Sequence, residues 1–350
     1  MNRTIKKMGI ILLVVMLSMF CGNVTESDGD TTNSITGDQT TYTVNGITFT
    51  MVYVEGGLTY MAGLADNGDK NGDGDALDAA DEPGGTTVSD AYEIAKTEVT
   101  YLQWLIVYDW ATTDVGGGLR SDGLPVYFFA NAGTKGDNGA RTIQDPVTTI
   151  NWRDAMVWTN ALTEYYNAQN GTSLAVVYTT DSGYVTPQRD SRDSATCKAV
   201  TPLVLTVGTC DNPYVNPDAK GFRLPTRDES GLASRYKGSD NWTPGSYASG
   251  ATADNTIPIA TGLVSWYSVN SGNSTHPVSK KTANTLGLYD MSGNVWEWKF
   301  DWHPDFVGAF RVNSGGSWNN TATSMQVGYL FDDSPYFETG RIGFRPARTP

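Results

Sequence analysis

Hydrophobic residues recur at helical spacing in only three segments of this chain, and nearly everything between them is cut into short apolar stretches by glycine, proline and polar turn residues. With 38 Gly and 15 Pro among 350 residues, long helices and wide parallel sheets have little room. The first segment pairs Thr100 with Gln103, a capping-box spacing, ahead of Leu105, Ile106 and Trp110. The second pairs Asn151 with Asp154 and carries Ala155, Trp158, Leu162 and Tyr165; the third, short, pairs Thr226 with Glu229. Brief β-branched and aromatic runs at 48–54, 88–94 and 174–178 read as strands separated by long loops. The expected class is α+β: one loop-rich domain with few helices and short antiparallel strands.

The N-terminus reads as an export signal. Arg3, Lys6 and Lys7 precede an apolar run over 8–20 that ends at Cys21. That run is too short to cross a bilayer. A cysteine directly after it predicts lipid attachment at Cys21 and a membrane tether, with plain cleavage and free secretion as the alternative, because Phe20 is bulky for such a processing site. Residues 21–41 are polar and predict a flexible tether; the folded domain is expected over 42–350. Losing the signal takes away three cations and moves the formal charge from -14 to -17, which argues against nucleic acid as a partner. Outside the cytoplasm, Cys197 and Cys210 are expected to form a disulfide around one loop. With His276 and His303 the sole histidines, no His-rich zinc or iron cluster can assemble.

Seven runs carry a resemblance. They are Met-Val-Tyr-Val-Glu-Gly-Gly at 51–57, Ala-Lys-Thr-Glu-Val-Thr at 95–100, Pro-Val-Thr-Thr-Ile-Asn-Trp at 146–152 and Gly-Phe-Arg-Leu-Pro-Thr at 221–226. Gly-Leu-Tyr-Asp-Met-Ser-Gly-Asn-Val-Trp-Glu-Trp follows at 287–298, then Gly-Gly-Ser-Trp at 315–318 and Ile-Gly-Phe-Arg at 342–345. In this order they resemble the formylglycine-generating-enzyme family, a loop-rich variant of the C-type lectin fold found in sulfatase-modifying enzymes and many bacterial proteins. Glycines permit positive φ and the aromatic residues fill a core built largely from loops, so Trp296, Trp298, Trp318 and Phe344 are expected to be scaffold.

The resemblance also carries implications for chemistry. Sulfatase-modifying members oxidise a cysteine with two thiols that hold copper, and those positions are Asn320 and Met325 here. Neither gives a thiolate, so no catalytic cofactor and no enzymatic activity are expected. Family members bind calcium at positions that fall on Asp290, Gly293, Val295 and Glu297, the middle two through carbonyls. Independently, Asp69, Asn71, Asp73 and Asp75 open like a calcium loop, although Ala80 stands where a bidentate Glu belongs; a solvated acidic loop is the other reading.

The frame over 311–345 is similar to the variable region of diversity-generating-retroelement proteins, some of which are lipoproteins. This implies a displayed, sequence-diversified surface for an unknown protein or surface ligand. Its candidate contacts are Ser314, then Asn319, Asn320, Thr321, Thr323 and Ser324. A second group is Gly328, Tyr329, Leu330, Phe331, Asp332, Asp333 and Ser334, and a third is Tyr336, Phe337, Glu338 and Thr339. Rigid aromatic rings beside short polar groups suit a paratope. The alternative is that Val327, Tyr329 and Phe331 form one buried strand face.

Overall fold

All three capping boxes open helices in the computed structural model, which describes residues 34–61, 85–112, 127–192, 206–238 and 241–350. Thr100 and Gln103 exchange hydrogen bonds of 2.9 and 3.2 Å at the start of α1, Tyr101–Thr112. Asn151 and Asp154 do the same for α2, Trp152–Asn170, and Thr226 and Glu229 for α3, Arg227–Arg235. Fourteen of the nineteen α2 residues are buried, so its polar side chains need partners inside the protein. Asn160 supplies both of its amide hydrogens to the carbonyls of Tyr178 and Gln188, and Asp154 accepts from Asn131, Ser191 and the Ala130 amide. A fourth helix, α4 over Pro258–Val264, has no side-chain cap and carries Pro in its first turn, which is why the capping signature missed it.

The larger sheet has five strands in the order Gln39–Val44, Ile47–Val54, Tyr92–Ala95, Ala347–Arg348 and Phe222–Arg223, all antiparallel. The C-terminal strand therefore lies inside the sheet that the first strand opens. That first strand begins at Gln39, inside the stretch read from composition as tether; Thr side chains suit an edge strand. The smaller sheet runs Leu330–Asp333, Arg311–Ser314, Trp296–Trp302, Ile342–Gly343, with only the last pair parallel.

Two strand expectations need correction. The run over 88–94 is two strands, Thr86–Val88 and Tyr92–Ala95, broken at Ser89 and Asp90, where the serine hydroxyl bonds the aspartate. In 174–178 only Tyr178 enters a strand: the Leu174 and Tyr178 amides donate to the side chains of Asn167 and Asn160 on α2 instead of to a ladder.

The main core lies between α1, α2 and the larger sheet. Trp104 and Trp158 stack at 5.9 Å and 5°, and Phe344 meets Trp158 edge-on at 5.3 Å. Cys210 is disulfide-bonded and buried. Cys21, Cys197 and the loop with Asp69, Asn71, Asp73 and Asp75 lie outside the described residues.

Candidate functional site

The frame of the C-terminal segment is set by two glycines. Gly315 and Gly316 have φ of +97° and +77°, and a Cβ on Gly316 would sit 2.6 Å from the Ser324 carbonyl oxygen. This turn delivers Ser317, whose amide and hydroxyl both donate to Asn320 Oδ1 at 3.0 and 2.6 Å. Trp318 is 4 % exposed and its amide donates to the Asn294 carbonyl. At the other end, Ile342 and Gly343 pair with Trp296 and Glu297, and Phe344 and Arg345 are fully buried. Met325 is fully buried against Ala248, Val264 and Tyr267. The positions that would carry copper thiols thus hold a turn-forming amide and a core thioether.

The filling between these anchors is more regular than its sequence suggests. Residues 330–333 form an edge strand paired with Arg311–Ser314, and Ala322–Met325 is a 3-10 turn. The sequence shows no period there because an edge strand tolerates Asp332 and Asp333. Phe331 is 44 % exposed, Tyr336 56 % and Phe337 39 %, while Tyr329 is half-buried. Tyr329 and Phe331 both lean on Trp296, at 6.0 and 5.6 Å, so the strand has a wet aromatic face and not a buried one. Thr321, Thr323 and Glu338 are also exposed; Ser314, Asn319, Asn320, Ser324, Leu330, Asp332, Asp333, Ser334 and Thr339 are partly covered. Gly328 is buried, its amide on the Gly245 carbonyl, and so leaves the set of surface contacts.

Only part of the candidate set converges. Tyr329 and Phe331 gather on Trp296 and Asp333 is held by Asn313, while Tyr336 lies at the N-terminus of α2, its ring 5.6 Å from the Arg153 guanidinium. Residues 319–324 belong to another patch: the Asn320 carbonyl accepts from Ser268, and Ala322 packs beside α4, which turns Ile259 and Leu263 to solvent. Sequence reading missed Trp296 as a platform, although the aromatic alternation Trp296, Trp298, Phe300, Trp302 offered that signal. It also missed Asn313, fully buried between the strands, which donates to Asp333 at 3.2 Å. Burial pushes the Asp333 carboxyl up to about 6 against that bond.

Asp290 and Glu297 do not stand alike toward a cation. Asp290 is buried with φ +55°; its Oδ2 accepts from the Ser279 amide at 2.7 Å while Oδ1 has no hydrogen-bond partner. Burial pushes its carboxyl up to about 6, so a cation there would relieve it. Glu297 already takes Arg345 on both oxygens and Lys299 on one, at 2.6 to 3.0 Å. It would have to give up one of these bonds to bind metal.

Two helices packed on a small antiparallel sheet, long connecting loops and the Gly-Gly-Ser-Trp and Gly-Phe-Arg anchors define a protein of the C-type-lectin-like formylglycine-generating-enzyme fold, and the chain belongs to the sulfatase-modifying factor enzyme 1-like domain family, whose model matches residues 39–350. Among solved structures, Treponema denticola variable protein 1 is similar, with a TM-score of 0.60 and 28 % identity over 89 % of this chain and 99 % of that one. The Paenibacillus barcinonensis protein named chaperone protein LppX is 29 % identical over 301 residues, 80 % of this chain and 82 % of its own length. The formylglycine-generating enzyme of Thermomonospora curvata is 29 % identical over 142 residues, a stretch covering 37 % of this chain and 45 % of that enzyme.

Proposed function

We propose that this chain is an exported, non-catalytic ligand-binding protein, tethered to a membrane through Cys21, whose C-terminal face is a diversified contact surface for a protein or surface ligand. The carrying observation is the division between buried anchors and exposed aromatics: Trp318, Phe344 and Arg345 are at most 4 % exposed, while Phe331 and Tyr336 between them are 44 % and 56 %. The likeness to the Treponema variable protein supports the reading, as do Asn320 and Met325 where an oxidase needs thiolates.

Replacing Phe331 and Tyr336 together by Ala is expected to weaken a ligand selected on the intact face by about 100-fold, the scale of two interface anchors, with the melting temperature nearly unchanged. Surface-display selection followed by titration measures it; unaltered affinity places the contact elsewhere. Diversification is tested by sequencing the locus across cells and seeking a nearby near-identical template that differs at adenines. An invariant locus without a template leaves a fixed-sequence binding protein of the same fold.

A structural calcium at Asp290, with the carbonyls of Gly293 and Val295, belongs to the same proposal. Calcium chloride at a hundred times the dissociation constant is expected to add about 2.7 kcal/mol to the folded state. Asp290→Asn is expected to abolish the resulting rise in melting temperature. No rise in the parent protein removes calcium from the reading.

A further inference from the structure

Two strands of the smaller sheet place an uncommitted acceptor beside an acid at the edge of the exposed face. Asn313 is 0 % exposed, and its Nδ2 donates to Asp333 at 3.2 Å. That bond fixes the amide orientation and leaves Asn313 Oδ1 buried without a donor. Phe331 lies directly across from Asn313 in the ladder, and Asp333, two residues on, shares its side of the strand. Phe331 is backed by Trp296 at 5.6 Å. A carboxylate, a buried amide oxygen and an aromatic wall thus meet at one spot, and each attracts a positive group.

The charged neighbours leave that role open. Arg311 donates to the Phe300 and Asp211 carbonyls and lies between Trp152 and Trp302, at 3.8 and 3.5 Å. Arg153 is paired with the Asp211 carboxylate at 2.6 Å. Burial raises the Asp333 carboxyl to about 6 against the Asn313 bond; Asp332 adds to the rise and Arg341 offsets part of it.

We propose that this spot receives a basic side chain, a lysine ammonium or an arginine guanidinium, presented by the ligand of the C-terminal face; the proposal rests on the binding reading above. The methylene stem packs on Phe331 while the charged head donates to Asp333 and to Asn313 Oδ1.

Binding is measured with N-acetyl-lysine methylamide by the NMR shift of the Trp298 indole N–H, which lies in the strand residue opposite Asn313 and is buried without a hydrogen-bond partner. The norleucine analogue, equal in stem but uncharged, and the acetyl-aspartate analogue are the controls. The lysine probe is expected to saturate in the millimolar range, and norleucine to bind at least tenfold more weakly. Asp333→Asn is expected to cost a similar factor, whereas Asp332→Asn, which removes the same charge from the other side of the strand, stays within about threefold. Affinity should fall as pH drops from 7.5 through 6, as a proton competes for Asp333. Equal binding of norleucine, preference for the aspartate probe, or indifference to Asp333→Asn overturns the inference. A selected protein ligand that depends on Phe331 and Tyr336 but not on Asp333 also overturns it while leaving the surface reading standing.

Discussion

Replacing Arg345 by Met is expected to destabilise the domain by about 3–5 kcal/mol, the cost of taking from a buried carboxylate the cation that bonds both its oxygens. Arg345 is fully buried and donates to both Glu297 oxygens and to the carbonyls of Ala95 and Tyr289, so it ties the larger sheet to the smaller one. Against a burial that would raise it, Arg345 and then Lys299 hold the Glu297 carboxyl below its usual range. Arg345 also opposes the burial that raises the Glu98 and Asp290 carboxyls; its loss leaves Glu297 with Lys299 and Asp290 with Lys281. A depressed carboxyl contributes stability that is present above its unfolded value, near 4.5, and lost as pH falls through the folded one. The gap between parent and variant should therefore be widest at neutral pH and close below about pH 4. Urea denaturation across pH checks this; a thermal scan should show a drop of roughly 10 °C. Adding Glu297→Gln should not recover the loss, because it takes from the buried Lys299 the carboxylate it donates to at 3.0 Å. A single Arg345→Met variant that melts with the parent sinks the account.

What could be read in the sequence depended on whether the signal was local. Capping boxes at Asn151 and Thr226 are written in two residues three apart, and both helices begin where that spacing places them. The buried anchors were equally legible, since Trp298, Trp318 and Phe344 lie in runs that recur as a set and all are at most 4 % exposed. The strand over 330–333 was not, because its hydrogen bonds go to Arg311–Ser314 sixteen to twenty-two residues earlier, and an edge position imposes no alternation on it. Asn313 escaped for a related reason: a lone Asn is unremarked in a sequence, and its pairing with Asp333 appears only once two strands are in register. Residues 319–339 form one run in the sequence yet divide in space, 322–325 lying beside α4 and 330–333 on Arg311–Ser314, so adjacency along the chain overstated the size of any single contact face.

Trp158→Ala is expected to cost about 3–5 kcal/mol, as truncation of a fully buried aromatic does when its surroundings cannot collapse into the space. Collapse is blocked here. Trp158 is stacked on Trp104, met edge-on by Phe344 and tilted against Phe49 at 6.0 Å, and its indole N–H donates to the Trp104 carbonyl at 3.1 Å. Those partners come from α1, the larger sheet and the Gly-Phe-Arg anchor, so the cavity would open where three parts of the frame meet. Phe331→Ala removes a ring of similar chemistry that is 44 % exposed and packs on Trp296, and its expected cost in stability is below about 1 kcal/mol. The two variants should separate cleanly in one pair of measurements. Trp158→Ala should lower the denaturation midpoint and reduce ligand capture only in proportion to the folded fraction, while Phe331→Ala should keep the midpoint and lose affinity. If Phe331→Ala instead unfolds the domain, the ring is a core element and the frame extends across the segment proposed as its filling.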